Sequence, residues 1–462
     1  MDQSKALKVI LGAGESGMGA ALLARKHGFA VLVSERSQIH DQHRERLRQA
    51  GVQFEENGHT LSQILKATEV IKSPGIPNHA PIVGQIMEAG IPVISELEFA
   101  SRYTRATLVG ITGTNGKTTT SLLTYHMLKK AGYDVLLAGN IGNSLSRELL
   151  VRDYEYIVLE VSSFQLDNIR QFHPHISVLL NITPDHLSYY EGQFERYVDA
   201  KFNICLNHTE EDTLVYNYDD PTIRKRVEAC GPPSQLIPFS ALHDLGVGAS
   251  FVNDVMTIYM SRTHQNDPKK DKLDIQEQEI NLKGKHNRQN SMAASIVSKV
   301  VRVRNKHIRD SLQDFENVEH RLERFARING VDYINDSKAT NVNAAWFALE
   351  SMNHPVIWIC GGEEKGAEYS ALIPLVREKV KSIICLGKDN RKLRQALSQA
   401  NKSIMETDNL SKAVEHALHL AESGDAILLS PACASYDLFD SYQDRGDQFK
   451  SMVKRLTGGA GR

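Results

Sequence analysis

From Lys8 to about Arg102, short apolar runs alternate with stretches of helical spacing. The runs are Val9-Ile10-Leu11, Ala30-Val31-Leu32-Val33, Val70-Ile71 and Val93-Ile94, and their alternation with helical stretches predicts βαβ units on a parallel sheet. A second series begins at Thr107-Leu108-Val109-Gly110-Ile111, with further strands expected at 134–137, 156–159 and 176–180. Between about Gly246 and Asn281 the helical signal fades, and the polar run 262–271 reads as a solvated loop among hairpins. Helical spacing returns over 290–303, and the pattern breaks near 317–321. A third series follows, with strands expected at Tyr333-Ile334, 356–359, 382–385 and 426–429. The expected fold class is therefore α/β in three domains, 1–102, 103–316 and 317–462, the largest in the middle.

Composition narrows the function classes. A chain of 462 residues with 41% hydrophobic and 24% charged residues is that of a globular protein able to bury large cores. Lys plus Arg at 54 against Asp plus Glu at 56 leaves a net charge of -2, so no global field draws in nucleic acid or an anionic membrane. Five dispersed cysteines (Cys205, Cys230, Cys360, Cys385, Cys433) form no CxxC pair and read as reduced thiols. The N-terminus is polar, and no stretch approaches the ~20 apolar residues of a membrane span, so the expected location is the cytoplasm.

Gly113-Thr114-Asn115-Gly116-Lys117-Thr118 follows an apolar strand and opens the helical stretch 119–130, the context of a phosphate loop. Backbone N–H groups and the helix N-terminus would face phosphate oxygens, Lys117 would reach the terminal phosphates, and the Thr118 hydroxyl could hold Mg²⁺. The spacing is a variant, because Ile111 stands where the strict GxxxxGK[ST] pattern has glycine. A second glycine loop, Gly12-Ala13-Gly14-Glu15-Ser16-Gly17, precedes Glu35 by about 20 residues and fits either a dinucleotide or another diphosphate such as a UDP-sugar. Glu160 and the segment Asn181-Ile182-Thr183-Pro184-Asp185-His186 close apolar strands. In an open parallel sheet that carboxyl edge is where ligands bind, which puts Glu160 and His186 on the rim of Lys117, placed to ligate Mg²⁺.

In combination these residues resemble the Mur ligases, whose relatives include folylpolyglutamate synthetase. The run from Gly110 to Thr120, then Lys285-His286-Asn287-Arg288-Gln289-Asn290, His320-Arg321 and Asp336, follow in that family's order over nearly the whole chain. Asp336-Ser337-Lys338-Ala339-Thr340-Asn341 and Ser430-Pro431-Ala432-Cys433-Ala434-Ser435-Tyr436-Asp437 resemble the D-glutamate-adding branch.

The resemblance implies a Rossmann-like N-terminal domain, a central ATP-binding domain of phosphate-loop type and a C-terminal Rossmann-like domain. Gly14, Glu15, Ser16, Glu35, Arg36, Ser73, Pro74 and Gly75 would hold the UDP part of the substrate, with Asn140 beside them and lining the reaction centre. Gly113, Thr114, Asn115, Gly116, Lys117, Thr118 and Thr119 would hold ATP phosphates. Asn287, Asn290, Arg321 and Asp336 would hold its base and ribose side. Thr118, Glu160 and His186 would bind Mg²⁺, joined by Lys201 as a carbamate. Lys338, Thr340, Lys365, Ser435, Tyr436 and Tyr442 would receive D-glutamate.

The implied reaction converts the alanyl carboxylate of UDP-N-acetylmuramoyl-L-alanine to an acyl phosphate with ATP, Lys117, Glu160, His186 and Lys201 forming the catalytic group. D-glutamate then displaces phosphate. ATP between the second and third domains would require the third to close. The expected partners are these small molecules, with no nucleic acid and no membrane span, acting on a monomer. Two rivals predict otherwise: a dehydrogenase would bind NAD through the first glycine loop, and a regulatory NTPase would hydrolyse ATP without an amino acid.

Overall fold

The computed structural model describes the chain except residues 1–5, 75, 141–143, 186–188, 261–271, 316–318, 341, 351, 353, 364–368, 457 and 459–462. Gly75, His186, Lys365 and all of the polar run 262–271 therefore lie outside the described residues. The chain separates into two compact units, Met1–Glu316 and Asn317–Arg462. No helix among the described residues is long and apolar enough to cross a membrane.

The first unit carries two sheets. Strands β1 (Leu7–Leu11), β2 (Ala30–Ser34), β3 (Gln53–Glu55), β4 (Glu69–Lys72) and β5 (Val93–Ser95) form a parallel sheet in the order β3-β2-β1-β4-β5. Val9, Ile10 and Leu11 are fully buried because both faces of the sheet are covered, which is why β1 reads as an unbroken apolar run. Strand order reverses between β1 and β4, so residues 12–14 and 73–74 after them share the ligand-binding edge.

The second sheet holds β6 (Thr107–Thr112), β7 (Val135–Gly139), β8 (Tyr156–Glu160), β9 (Ile176–Leu179), β10 (Thr213–Asn217), β11 (Gln235–Ser240), β12 (Gly248–Val252), β13 (Val255–Tyr259) and β14 (Lys272–Gln276). Its order is β14-β13-β12-β11-β10-β9-β6-β8-β7. The strands are parallel from β7 to β12, and β12, β13 and β14 pair antiparallel. β6 sits between β8 and β9, so a second order reversal puts the ends of β6, β8 and β9 on one rim.

Buried carboxylates join the two sheets. The helix Glu96–Ser101 leaves β5, and the fully buried Glu98 accepts N–H bonds from Arg170, Gln171 and Phe172 at 2.9, 2.8 and 2.7 Å. Arg102 adds an ion pair to it at 2.7 Å. Glu96 accepts the Ser146 N–H at 2.6 Å, and the Ser95 N–H donates to the Asn168 carbonyl at 2.8 Å. Gly19, on the helix Glu15–Lys26, abuts 144–147 so closely that a Cβ there would strike the Ser144 hydroxyl. One apolar cluster accordingly runs from Ile10 and Phe99 through Leu159 to Ile204.

The second unit is a single sheet of β15 (Glu323–Ile328), β16 (Val331–Asn335), β17 (Val356–Cys360), β18 (Val380–Leu386), β19 (Ser403–Thr407) and β20 (Ala426–Leu429), ordered β15-β16-β20-β17-β18-β19. Only β15 runs antiparallel to its neighbour. The strands that the apolar runs did not predict are β3, β10, β11, β15 and β19. β3, β15 and β19 lie at sheet edges, where polar residues interrupt the run, and β11 carries Pro238. β10 is interior but short in apolar residues, with Thr213 and Asn217 at its ends.

Glu98 allows a test of the joint. Burial alone would raise its carboxyl, but the three backbone N–H groups and Arg102 outweigh that and hold it below the ordinary glutamate value. A depressed carboxylate contributes stability above the unfolded value of about 4.3 and loses it as pH falls through the folded value. Glu98→Gln should cost ~3 kcal/mol at pH 7 and flatten the acid limb of stability against pH, read by denaturant unfolding. Equal acid limbs in the two proteins would rule out this role.

Candidate active site

The loop 113–116 links β6 to the helix Lys117–Lys130 and is clamped from β9's end. Asn181 does the clamping: its Oδ1 accepts the Asn115 N–H at 2.8 Å, its Nδ2 donates to the Asn115 carbonyl at 3.1 Å, and its own carbonyl accepts the Thr114 N–H at 2.8 Å. The Thr114 hydroxyl meets the Thr183 N–H at 3.0 Å and Tyr197 Oη at 3.1 Å. Gly116 caps the helix at φ 81, and a Cβ there would run into Asn290 Oδ1. Asn290 also accepts from the Thr120 hydroxyl at 3.2 Å and donates to Asn287 Oδ1 at 3.1 Å. The helix Lys285–Val300 thereby brings Asn287 and Asn290 to the phosphate loop.

Two lysines converge on one oxygen of this loop. Lys117 Nζ donates to the Gly113 and Thr114 carbonyls, both at 2.7 Å, and Lys201 Nζ donates to the same Gly113 carbonyl at 2.9 Å. Lys201 is fully buried on the helix Phe194–Phe202, its ammonium 4.6 Å from the centre of the Tyr197 ring. Burial and then the Lys117 charge push its ammonium well below the ordinary lysine value, against a smaller opposing pull from Asp185.

Glu160, the last residue of β8, is buried, with Oε1 accepting from Asn140 Nδ2 at 2.9 Å and Oε2 without a hydrogen-bond partner among the described residues. Gly139, at φ 105, lets the chain pass over Glu160, since a Cβ would strike the Glu160 carbonyl. Thr118, in the first turn of the helix, is buried beside the loop. A free carboxylate oxygen and a hydroxyl on one rim make a donor set suited to a hard divalent cation.

The first sheet carries the other glycine loop. Gly12 lies against Ser73, and a Cβ on Gly17 would strike the Gly12 carbonyl, so both glycines are needed for the close approach of helix, strand and loop. Glu35 accepts the Ala13 N–H at 2.8 Å and the Ser37 N–H at 3.0 Å. Burial raises its carboxyl, but these donors and the Ser37 hydroxyl prevail and hold it low. Glu15 is paired through both oxygens with Arg147 at 3.0 Å. Gly14 and Arg36 are exposed, while Ser16 and Pro74 are half-buried. The Ser73 hydroxyl is buried without a partner among the described residues.

In the second unit, Asp336, Lys338 and Thr340 follow β16, and Ser435 follows β20. Asp336 is buried, and burial drives its carboxyl up to about 7 against the pull of the Ser430 hydroxyl, 2.7 Å away, and of Arg321. Lys338 lies 5.8 Å from the centre of the Tyr442 ring, and its N–H donates to the His320 carbonyl at 2.9 Å. Ser435 is buried, whereas Thr340 and Tyr436 are exposed.

Several residues that hold this arrangement are given no role in the sequence reading. Arg445 is 1% exposed; its guanidinium donates to the Ser337 hydroxyl at 2.9 Å, the Ser337 carbonyl at 2.8 Å and the Ala434 carbonyl at 3.3 Å, tying the 336–340 loop to the 430–435 loop. Its spacing from Phe449 and Val453, at i+4 and i+8, marked it as facing the core. Asn181 carried only the signal of a polar residue ending an apolar strand, and Tyr197 none beyond its place on a helix.

Comparison with known proteins adds an independent line. Residues 6–95 match the Mur ligase MurD-like N-terminal domain, residues 111–298 the Mur ligase middle domain, and residues 320–433 the Mur ligase glutamate ligase domain. A UDP-N-acetylmuramoylalanine--D-glutamate ligase of Christiangramia forsetii is 47% identical over 448 residues, covering 97% of this chain and 99% of that protein. A protein of the same name from Porphyromonas gingivalis is 47% identical over 456 residues, covering 99% of this chain and all (100%) of its own. The solved structure of a pseudomurein peptide ligase type C from Methanothermus fervidus shares the fold, with a TM-score of 0.57 at 19% identity over 98% of this chain and 100% of that one. With the family's three domain types in sequence along it and full-length relatives at this identity, the chain belongs to the Mur ligase family.

Proposed function

We infer that this protein is an ATP-dependent ligase that joins D-glutamate to the alanyl carboxylate of UDP-N-acetylmuramoyl-L-alanine in peptidoglycan precursor synthesis, through an acyl phosphate. Family membership supports the reaction class, and the names of the full-length relatives support the substrate pair. The observation that carries the chemistry is the convergence of Lys117 and Lys201 on the Gly113 carbonyl, at 2.7 and 2.9 Å, on the rim that ends in the half-satisfied Glu160 carboxylate. A site with one lysine ammonium, a buried second amine beside it and a carboxylate oxygen to spare suits a triphosphate and its counter-ion.

In this reading the loop 113–119 holds the ATP phosphates, and Lys117 neutralises charge as it spreads over the transferred phosphoryl group. Thr118 and Glu160, with His186, would hold Mg²⁺, which would shield the phosphate oxygens from the incoming carboxylate. Asn287 and Asn290, and in the second unit Arg321 and Asp336, serve the nucleoside side of ATP. Gly14, Glu15, Ser16, Glu35, Arg36, Ser73, Pro74, Gly75 and Asn140 hold the UDP substrate. Lys338, Thr340, Lys365, Ser435, Tyr436 and Tyr442 receive D-glutamate.

The alanyl carboxylate attacks the γ-phosphorus and ADP leaves, giving the acyl phosphate. The D-glutamate amine then attacks the acyl carbon, and the tetrahedral intermediate expels inorganic phosphate to leave the amide. The setting is the cytoplasm, where ATP is at hand.

Lys201 enters as a carbamate. Only the neutral amine adds CO₂, and burial beside Lys117 favours that neutral form. The adduct replaces a crowded second cation with an anion able to face Mg²⁺.

Purified protein with ATP, Mg²⁺ and UDP-N-acetylmuramoyl-L-alanine should release phosphate when D-glutamate is added and not with other amino acids. Stimulation by L-alanine instead, or by a folate with L-glutamate, would replace the assignment. Lys117→Ala should lower kcat/KM by at least about 10³-fold with an unchanged unfolding midpoint, and near-normal turnover would remove the phosphate loop from the reaction. In ¹³C-bicarbonate a carbamate resonance should be present in the wild type and absent from Lys201→Arg; identical spectra would discredit the modification.

A further inference from the structure

A cavity of about 460 Å³ opens at the joint of the two sheets in the first unit, at the opposite end of β6 from the phosphate loop. β6 is 6 residues long, so the two edges stand roughly 20 Å apart. Two segments wall the cavity: 101–108, which carries the chain from the helix Glu96–Ser101 into β6, and 171–175, which leads into β9. Its size lies within the range of roughly 300–1,000 Å³ common for small-molecule sites, which favour such junctions.

Arg102, Arg105, Gln171, His173 and His175 contribute polar groups to the wall, and no carboxylate lines it among the described residues. The nearby carboxylates stand behind, each already bonded to a wall segment. Glu98 and Glu69 take the Arg102 guanidinium at 2.7 and 3.0 Å, so its charge is matched. Asp212 Oδ2 accepts from His173 Nε2 at 2.6 Å. Asp153 accepts the Arg105 N–H at 2.9 Å with one oxygen and the Thr104 hydroxyl with the other, which fixes the turn that presents Arg105.

Donors are left over. Among the described residues the Arg105 guanidinium has no ion-pair partner and the Gln171 side-chain amide no hydrogen bond. His175 Nδ1 accepts the Leu108 N–H at 3.1 Å, which requires a lone pair on that nitrogen. The ring proton therefore sits on Nε2, ready to donate. His173 stacks beside this ring with centres 5.6 Å apart.

A wall of donors with one unmatched cation, and carboxylates held behind it, selects an anion. We propose that this cavity binds a small phosphate-bearing anion, with the Arg105 guanidinium, the Gln171 amide and His175 Nε2 as its donors. The fork of Arg105 can give two parallel bonds to phosphate, and a tetrahedral head has a further oxygen for donors from 171–175 that a planar carboxylate lacks. The bound anion ties the segment leaving the helix Glu96–Ser101 to the one whose N–H groups Glu98 holds, so occupancy reinforces the joint. The proposal stands apart from the ligase reading, because its groups are remote from the Lys117 rim.

The test titrates full-length protein calorimetrically with inorganic phosphate, glycerol 3-phosphate and acetate, without nucleotide and at constant ionic strength. Because the phosphate loop also attracts phosphate, wild type, Lys117→Ala, Arg105→Ala and Gln171→Ala are compared. Glycerol 3-phosphate should bind wild type and Lys117→Ala with a Kd of about 1 mM or tighter. Arg105→Ala should weaken that binding at least about 10-fold and Gln171→Ala at least about threefold, while acetate should bind at least about 10-fold more weakly than either phosphate. Arg105 is exposed, so the empty variant should unfold at the wild-type midpoint. Bound glycerol 3-phosphate should slow amide hydrogen exchange over 101–108 and 170–175 in wild type and not in Arg105→Ala. Tighter binding of the monoester than of inorganic phosphate would support an organic phosphate as the ligand, and equal binding would support phosphate itself. Binding lost in Lys117→Ala but kept in Arg105→Ala would put the anion on the phosphate loop and overturn the proposal. Acetate binding as tightly as phosphate, unchanged exchange over 101–108, or no saturable binding up to about 10 mM would overturn it equally.

Discussion

The Gly113 carbonyl accepts two lysine ammonium groups, and the central rim is organised around that crowding. Two cations sharing one oxygen inside a protein repel each other strongly, because little water screens them. Such an arrangement is tolerable when one amine is neutral or when anions complete the site. Burial of Lys201 favours the first, and the unpartnered Glu160 oxygen contributes to the second. The surrounding bonds hold the loop against this strain: Asn181 grips Asn115 from two sides, and Asn290 seals the space above Gly116 that a side chain would otherwise fill.

A rim of this kind serves a long substrate only if the first sheet stays in register with it. Buried carboxylates accomplish that. Glu98 reaches from the helix after β5 to three consecutive backbone N–H groups beyond the helix Ser163–Leu166, and Glu96 takes the Ser146 N–H near Asn140. An ion held by several preorganised N–H dipoles is directional in a way that apolar packing is not. The apolar cluster shared by both sheets supplies the bulk of the adhesion, while the carboxylates specify the alignment.

The second unit uses a cation for the corresponding task. Arg445 donates to backbone carbonyls and to a hydroxyl, with no carboxylate among the described residues closing the pair, and burial lowers its guanidinium to about 10. The five donors of a planar guanidinium can hold two loops at once, which a lysine could not do. Asp336, driven up to about 7 beside Ser430, lies at the edge of the same loops.

Much of this was legible in the residues themselves. Interior strands such as β1, β6, β17 and β20 bury both faces and therefore read as apolar runs, and glycine loops after strands announce phosphate contacts because only glycine lets the backbone turn toward them. Family membership followed from motif order along the chain. Edge strands β3, β15 and β19 were missed because one flank meets solvent and the apolar signal breaks up. The sharing of Gly113 by Lys117 and Lys201, the reach of Glu98 to 170–172 and the grip of Arg445 on Ser337 join residues about 70 to 110 positions apart. Local propensity carries no information on such pairs. Which buried charge meets which partner is decided only when the sheets close, since electrostatic energy depends on distance in space and on the water excluded between the groups.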